Sequence, residues 1–364
     1  MTTNIAIIID GIKYEGWHKL NISRYLDAMC GRFDFTLADF AVSETAGILS
    51  GKSVKVEMVD EFNDVTYPLI NGYIYPTERS KTAEATSLHF SGRDVTSDLV
   101  DCSAIYKTST WKKQKLSKIA RDLCQPFGIA VVIEGVTDPM IEKFTLQSGE
   151  TVSESLERLC RAFNVLAITD EVGRLLLTAV GSDTADEALV MGDNILTMHL
   201  GEDFSERFST YNFKGQRKGN GSEWVRNKDT QLLGQAHDAG VDRYRPMVFN
   251  IERHTTRADI KKRAAWEAQV RAGRSIYASV TVPGWLQNPY EGTSRPWRIN
   301  ELVTLKDTSW NIDAKLVVSG VDFQLDESTG RITTLDLNPP EIFKANPTQT
   351  IELARWSSVT PTSQ

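Results

Sequence analysis

The strongest constraint on this chain is a rhythm of two. Phe33, Phe35 and Leu37, then Val54, Val56 and Met58, then Thr86, Leu88 and Phe90 recur at every second position. Successive side chains on a strand point to opposite faces, so each run buries one face and leaves the other to water. Before these runs, Ile5 to Ile9 and Ile12 to Trp17 flank Asp10-Gly11, the pair that suits a type I′ hairpin turn because both central residues need positive φ. Tyr67 to Tyr75 is interrupted by Asn71-Gly72, which reads as a tight turn or as a bulge. So many short strands hide their edges best in a small barrel. The expectation is an antiparallel barrel over residues 1–105, rejoined by strands near 195–215.

The rhythm changes after Asp101. Leu116, Ile119, Ala120, Leu123, Cys124 and Phe127 follow helical spacing, stopped by Gly128 before an apolar strand from Ile129 to Ile133. From Cys124 to Cys160 the pattern repeats: Val152, Leu156, Leu159, Cys160 and Phe163 form a second stripe. Thr151 and Glu154 offer its capping box, and Asn164 ends it before a strand from Val165 to Ile168. A return through Gly173 to Leu175–Leu177 completes an α+β insert of two helix-strand units over 106–190. Both cysteines fall on apolar stripes, where a free thiol packs as a small hydrophobe.

Residues 191–250 are expected to hold returning strands, notably Phe204 to Phe213, and a mobile loop across the polar stretch Gly215 to Asp242. A helix with a basic outer face is predicted from Thr255, capped by Thr256 with Asp259 and ending at Ala272 before Gly273. It leads a second barrel over 251–338. Ile276, Ala278, Val280 and Val282 alternate there, followed by Leu302 to Leu305, Leu316 to Leu325 and Arg331 to Leu337, with Ser328-Thr329-Gly330 turning the last pair. The proline-bearing segment 339–364 reads as an extended arm. The fold class is α+β, mostly β.

Chemistry is harder to find. Gly47 to Gly51 with Lys52 and Ser53 approaches a phosphate-cradling loop, but Ala46 stands where its first glycine belongs and a strand, not a helix, follows. His18, His89, His199, His237 and His254 never fall at metal-binding helical spacing, and Cys30, Cys102, Cys124 and Cys160 form no CxxC pair. No nucleophile elbow is present. Glu134, Glu142, Glu150 and Glu154 are the carboxylates that a glycan-cleaving insert would use. Trp224, Trp266, Trp285, Trp297 and Trp310 are dispersed, which suits core and subunit-interface roles better than a stacking platform. The sequence therefore predicts no enzyme, no catalytic, cofactor-binding or metal site, and no cofactor. A net charge of −7 with scattered Lys and Arg leaves no nucleic-acid footprint, and the apolar run Ile5 to Ile9 is too short to span a bilayer. A soluble chain without a secretion signal, made in a reducing compartment, is expected.

One ordered set of segments resembles the Mu-like baseplate hub proteins of contractile phage and prophage tails. It comprises the opening hairpin, Asn71-Gly72-Tyr73-Ile74, the run Ser87 to Ser103, Val280 to Trp285, Trp297 to Asn300, Val303 to Asp307, Val317 to Phe323 and Thr333 to Leu337. The resemblance spans nearly the whole chain. It implies two barrels related to tail-tube folds and a homotrimeric ring of pseudo-sixfold character. Such a ring would join a hexameric tail tube, or its initiator protein, to a trimeric central spike, with baseplate wedge proteins outside and DNA only in passage. The place implied is the virion baseplate, after synthesis in the host bacterial cytoplasm, with no membrane insertion. The alternatives are a cell-wall-binding or cell-wall-degrading tail protein and a secretion-system spike hub. The second usually continues into a needle, and no needle-like repeat follows residue 338.

Overall fold

The computed structural model describes residues 3–14, 19–38, 48–60, 64–83, 85–216, 231–251, 257–288 and 294–343. It is mostly β, with 52% strand and 16% helix. Strands β1 (Thr3–Ile9) and β2 (Ile12–Tyr14) form the expected hairpin, with Ile9 facing Ile12 and both turn residues at positive φ, Asp10 at 52° and Gly11 at 85°. β3 (Lys19–Tyr25), β4 (Arg32–Ala38), β5 (Ser53–Asp60), β6 (Val65–Lys81) and β7 (Thr86–Asp94) complete the first lobe. The alternating Phe33, Phe35, Val54, Val56, Met58, Leu88 and Phe90 are all buried in one core.

Asn71-Gly72 is neither turn nor bulge, because β6 runs straight through it. Gly72 pairs with Val54 on one side and Asp94 on the other, and a Cβ there would lie 2.0 Å from the Arg93 carbonyl oxygen. Glycine is required by close backbone approach. The register shifts of β6 fall on either side, against Val56/Glu57 of β5 and between Ile74 and Thr77 of β6.

After α1 (Ser97–Asp101) comes the insert: β8 (Thr110–Lys115), α2 (Leu116–Cys124), β9 (Val131–Glu134), β10 (Met140–Thr145), α3 (Val152–Arg161), β11 (Leu166–Thr169) and β12 (Leu175–Thr178). A 3-10 turn and Gly128, at φ 69°, end α2. The capping box forms as expected, the Thr151 hydroxyl accepting from the Glu154 amide at 3.2 Å and the Glu154 carboxylate from the Thr151 amide at 2.8 Å. Asn164, at φ 56°, turns the chain toward β11. Phe163 leaves the predicted stripe, being 41% exposed, because α3 has already ended at Arg161. The hairpin-like pair of β8 and β10, with polar sequences such as Thr110–Lys115, has no counterpart in the sequence reading.

The second lobe holds β13 (Asp183–Thr184), β14 (Leu189–Val190), β15 (Thr197–Glu202), β16 (Thr210–Gln216), β17 (Gln231–His237), β18 (Pro246–Ile251), α4 (Arg257–Arg274), β19 (Ile276–Pro283), β20 (Leu286–Gln287), β21 (Arg295–Pro296), β22 (Glu301–Asp307), β23 (Ile312–Asp326) and β24 (Gly330–Asn338). Four expectations are corrected here. The strands near 195–215 do not rejoin the first lobe: β15 pairs with β19, and β16 heads a separate sheet, flanked by β17 and β18. Phe204 to Ser209 is not strand, since β16 begins at Thr210.

The polar stretch is not all loop, because β17 lies within it and closes over α4, where Tyr211 and Phe213 pack on Ile260, Ala264 and Ala268. Residues 217–230 and the Thr256 cap lie outside the described residues. Finally, α4 does not stop before Gly273; the buried glycine lies within the helix, and the Ser275 amide still donates to the Arg271 carbonyl at 3.1 Å. Lys261, Lys262 and Arg263 are exposed on α4. Of the proposed arm, Pro340–Phe343 is a 3-10 turn, the Ile342 amide donating back to the Pro339 carbonyl, and 344–364 lie outside the described residues.

Both lobes share one sheet of fourteen strands, eleven of them along the path β15-β19-β24-β23-β3-β4-β7-β6-β5-β1-β2, with β22 beside β23 and β13 and β14 beside β22. That sheet contains the same arrangement twice. In the first lobe β3, β4, β5, β6 and β7 follow one another in the chain and lie in the order β3-β4-β7-β6-β5. In the second, β15, β19, β22, β23 and β24 lie as β15-β19-β24-β23-β22. The fourth strand of each set is the longest and carries a register shift against the fifth, between Ile74 and Thr77 in β6 and between Val318 and Gly320 in β23. The registers make Phe35 the counterpart of Val280, Phe90 of Leu335 and Val54 of Val303, all buried.

Candidate assembly junction

The two copies meet where β3 lies antiparallel to the C-terminal half of β23, from Lys19 opposite Asp326 to Tyr25 opposite Gly320. β23 can accept it because β22 is short and covers only Ile312–Val317, leaving the remainder of that edge open. Leu20 and Ile22 are buried there with Val321 and Phe323. Arg24 is buried too, its guanidinium donating to the Leu69 carbonyl at 2.8 Å. Beside it, the Asp94 carboxylate accepts from the Gly31 amide at 2.7 Å and from the amide and hydroxyl of Thr96 at 3.0 and 2.5 Å. Burial pushes the Asp94 carboxyl up, while Arg24 and these donors oppose the shift.

Polar side chains close the junction at both ends. The Tyr25 hydroxyl donates to Asp322 at 2.7 Å. Burial, then that bond to Asp322, holds the phenol above its ordinary range, and burial also raises Asp322. At the other end Lys19 pairs with Asp326 at 3.2 Å. Hydrogen bonds from Ser328, then Lys19, bring the Asp326 carboxyl down to about 2. A cleft of about 510 Å³ lined by Tyr25, Arg274, Tyr277, Asp336 and Phe343 opens alongside.

Among the described residues, those weighed for chemistry are dispersed or structurally engaged, while His18, Ala46, Gly47, Trp224 and His254 lie outside the described residues. Gly51, at φ 82°, makes a turn before β5, and Lys52 pairs with Asp10 at 2.7 Å. Glu150 receives Arg158 through two contacts at 2.7 and 2.9 Å, which holds it below the usual carboxylate range, and Glu154 is the helix cap. His89 faces Asp34 at 3.3 Å, and His237 lies 3.3 Å from the Thr210 hydroxyl. Among the described residues no three His, Cys, Asp or Glu side chains gather as metal ligands. Cys124 and Cys160 are buried free thiols, each pushed up to about 12 by burial. Trp285 and Trp297 are core residues, and Trp310 is exposed.

The junction itself was missed from sequence. Leu20 and Ile22 keep the strand rhythm, but Arg24 takes the third inward position and hides it.

Comparison with known proteins agrees with a structural reading. Residues 4–94 match the N-terminal domain of the Mu phage baseplate assembly protein GpP-like family, residues 96–179 the second domain of baseplate hub protein gp44-like, and residues 256–346 the fourth domain of Mu phage baseplate assembly protein GpP. The baseplate hub protein gp44 of Escherichia phage Mu is 32% identical over 350 residues, 94% of this chain and 89% of that protein. Among solved structures, the 43 kDa tail protein of prophage MuSo2 from Shewanella oneidensis superposes with a TM-score of 0.79 at 29% identity, covering 94% and 99% of the two chains. The fold also matches the E. coli c3393 protein, a component of the type VI secretion system, with a TM-score of 0.53 at 9% identity over 94% of this chain and 79% of that one. None of the helices among the described residues is long and apolar enough to cross a membrane. The chain belongs to the Mu-like baseplate hub family, whose members are structural components of the phage tail and not enzymes.

Proposed function

We propose that three copies of this chain close into a ring of pseudo-sixfold character at the centre of the baseplate. The ring receives the hexameric tail tube, or its initiator, on one face and the trimeric central spike on the other. The five-strand arrangement that occurs twice in the chain carries this reading. Three chains then offer six similar sheets to a sixfold neighbour while remaining threefold for a trimeric one, which makes the protein a symmetry adaptor. The insert and the α4 sheet are additions to the repeated frame, and they are the surfaces assigned to wedge proteins. DNA passes through the ring without being read.

A secretion-system spike hub is disfavoured as the role. The likeness to that class is one of fold, whereas the sequence match is to a phage hub. A glycan-cleaving role lacks support, since Glu150 and Glu154 are committed to Arg158 and to the helix cap, and Glu134 and Glu142 lie on β9 and β10, which belong to different sheets. Native mass spectrometry of purified protein tests the proposal. A trimer is expected, and monomer alone at micromolar concentration would overturn it.

A further inference from the structure

The repeated frame leaves two sheet edges without a partner strand among the described residues. β15 pairs with β19 alone, and the segment Tyr75–Lys81 of β6 pairs with β7 on one side, beyond the end of β5, and with no strand on the other. Open edges of this kind are templates for another strand. Within the chain the corresponding edges are already joined. β3 is the counterpart of β15, and β23 is the counterpart of β6. We infer that β15 of one copy adds antiparallel to Tyr75–Lys81 of the next copy, repeating between chains the junction that β3 and β23 make within one. This rests on the ring reading and specifies its contact.

The registers fix which residues meet. Thr36 of β4 pairs with Lys19, and the corresponding Thr281 of β19 pairs with Thr197, so Lys19 and Thr197 are equivalent. Phe90 pairs with Thr77 and Leu335 with Val321, so Thr77 and Val321 are equivalent. In the internal junction Asn21 faces Gln324, Ile22 faces Phe323 and Leu20 faces Leu325. Carried over, His199 faces Ser80, Leu200 faces Arg79 and Met198 faces Lys81.

The side chains suit the contact. Thr77 and Arg79 stand opposite the buried Phe90 and Leu88, and Met198 is paired with the buried Val280, so both strands present their core-side residues to the same face. Half-buried Leu200 would lie against the stem of Arg79. The Arg79 guanidinium already donates to the Ile48 carbonyl at 2.8 Å, which holds it at this edge, and exposed Glu202 would sit diagonally across from it, where cross-strand neighbours of opposite charge attract.

Directly opposed residues on antiparallel strands have Cα atoms about 4.5–5.5 Å apart, within disulfide range. The test places cysteines at the exposed positions His199 and Ser80, in full-length chain carrying Cys30→Ser and Cys102→Ser. With mild oxidation, the double variant H199C/S80C is expected to run on non-reducing gels as three covalently joined chains. The single variants alone should stay unlinked, and an equimolar mixture of them should give linked pairs. A native trimer in which this pair does not link, or in which H199C links to T77C instead, would overturn the edge pairing and leave the ring standing. Monomer by native mass spectrometry would overturn both.

Discussion

Tyr25 and Asp322 stand 297 residues apart in the chain, and the hydroxyl of one donates to the carboxylate of the other at 2.7 Å. That bond ties the two lobes where their sheets become continuous. Replacing Tyr25 with Phe removes the donor and leaves Asp322, which is already raised by burial, without it. A loss of about 1 kcal/mol is expected, read as a lower urea midpoint with the denaturant slope unchanged. An unchanged midpoint would show that solvent replaces the bond at no cost.

Asp326 gives the junction a pH dependence. Its carboxyl is lowered from 3.8 to about 2 by Ser328 and Lys19. A carboxyl depressed on folding stabilises the native state above the unfolded value, and that contribution is lost as pH falls through the folded one. The stability gap between the natural chain and an Asp326→Asn variant should therefore be constant above about pH 5 and shrink on descent toward pH 2. Denaturant titrations across that range measure it.

The four thiols should separate by environment. Cys102 is exposed, Cys30 is partly buried with its thiol pushed up, and Cys124 and Cys160 are buried and raised to about 12. Thiolate is the reactive form, so at pH 8 Cys102 should alkylate first, Cys30 slowly, and the buried pair only in denaturant. Peptide mapping by mass spectrometry gives the order, and labelling of Cys160 in native protein would contradict the burial.

Gly72 should not tolerate a side chain. An added Cβ would sit 2.0 Å from a backbone oxygen of β7, which cannot swing away as a side-chain tip can. Gly72→Ala is expected to cost about 1–3 kcal/mol, the range for forced overpacking. A thermal midpoint equal to that of the natural chain would mean β6 and β7 separate there easily.

What could be read in the sequence was what local chemistry decides. The Asp10-Gly11 turn, the two helix stripes with their buried cysteines, the Thr151–Glu154 cap and the alternation of Ile276 to Val282 each depend on neighbours a few residues away. What escaped depends on partners far along the chain. Gly72 looked like punctuation because the strands pressing on it come from 18 residues earlier, at Val54, and 22 later, at Asp94. β17 looked like loop because the helix covering it begins beyond residue 250. The repeated five-strand frame was invisible because equivalent core positions exchange sizes, Phe35 for Val280 and Phe90 for Leu335, so that only pairing order preserves the kinship.

The two halves of that frame are decorated differently. The first gives way after its fifth strand to the insert, and the second opens between its first and second strands to admit β16, β17, β18 and α4. A protein built from identical single-frame subunits would have to display every embellishment at every station around its axis. Fusing two frames in one chain lifts that obligation. In the proposed ring, neighbouring stations would carry unlike ornaments, so bulky additions would alternate with each other instead of colliding with copies of themselves.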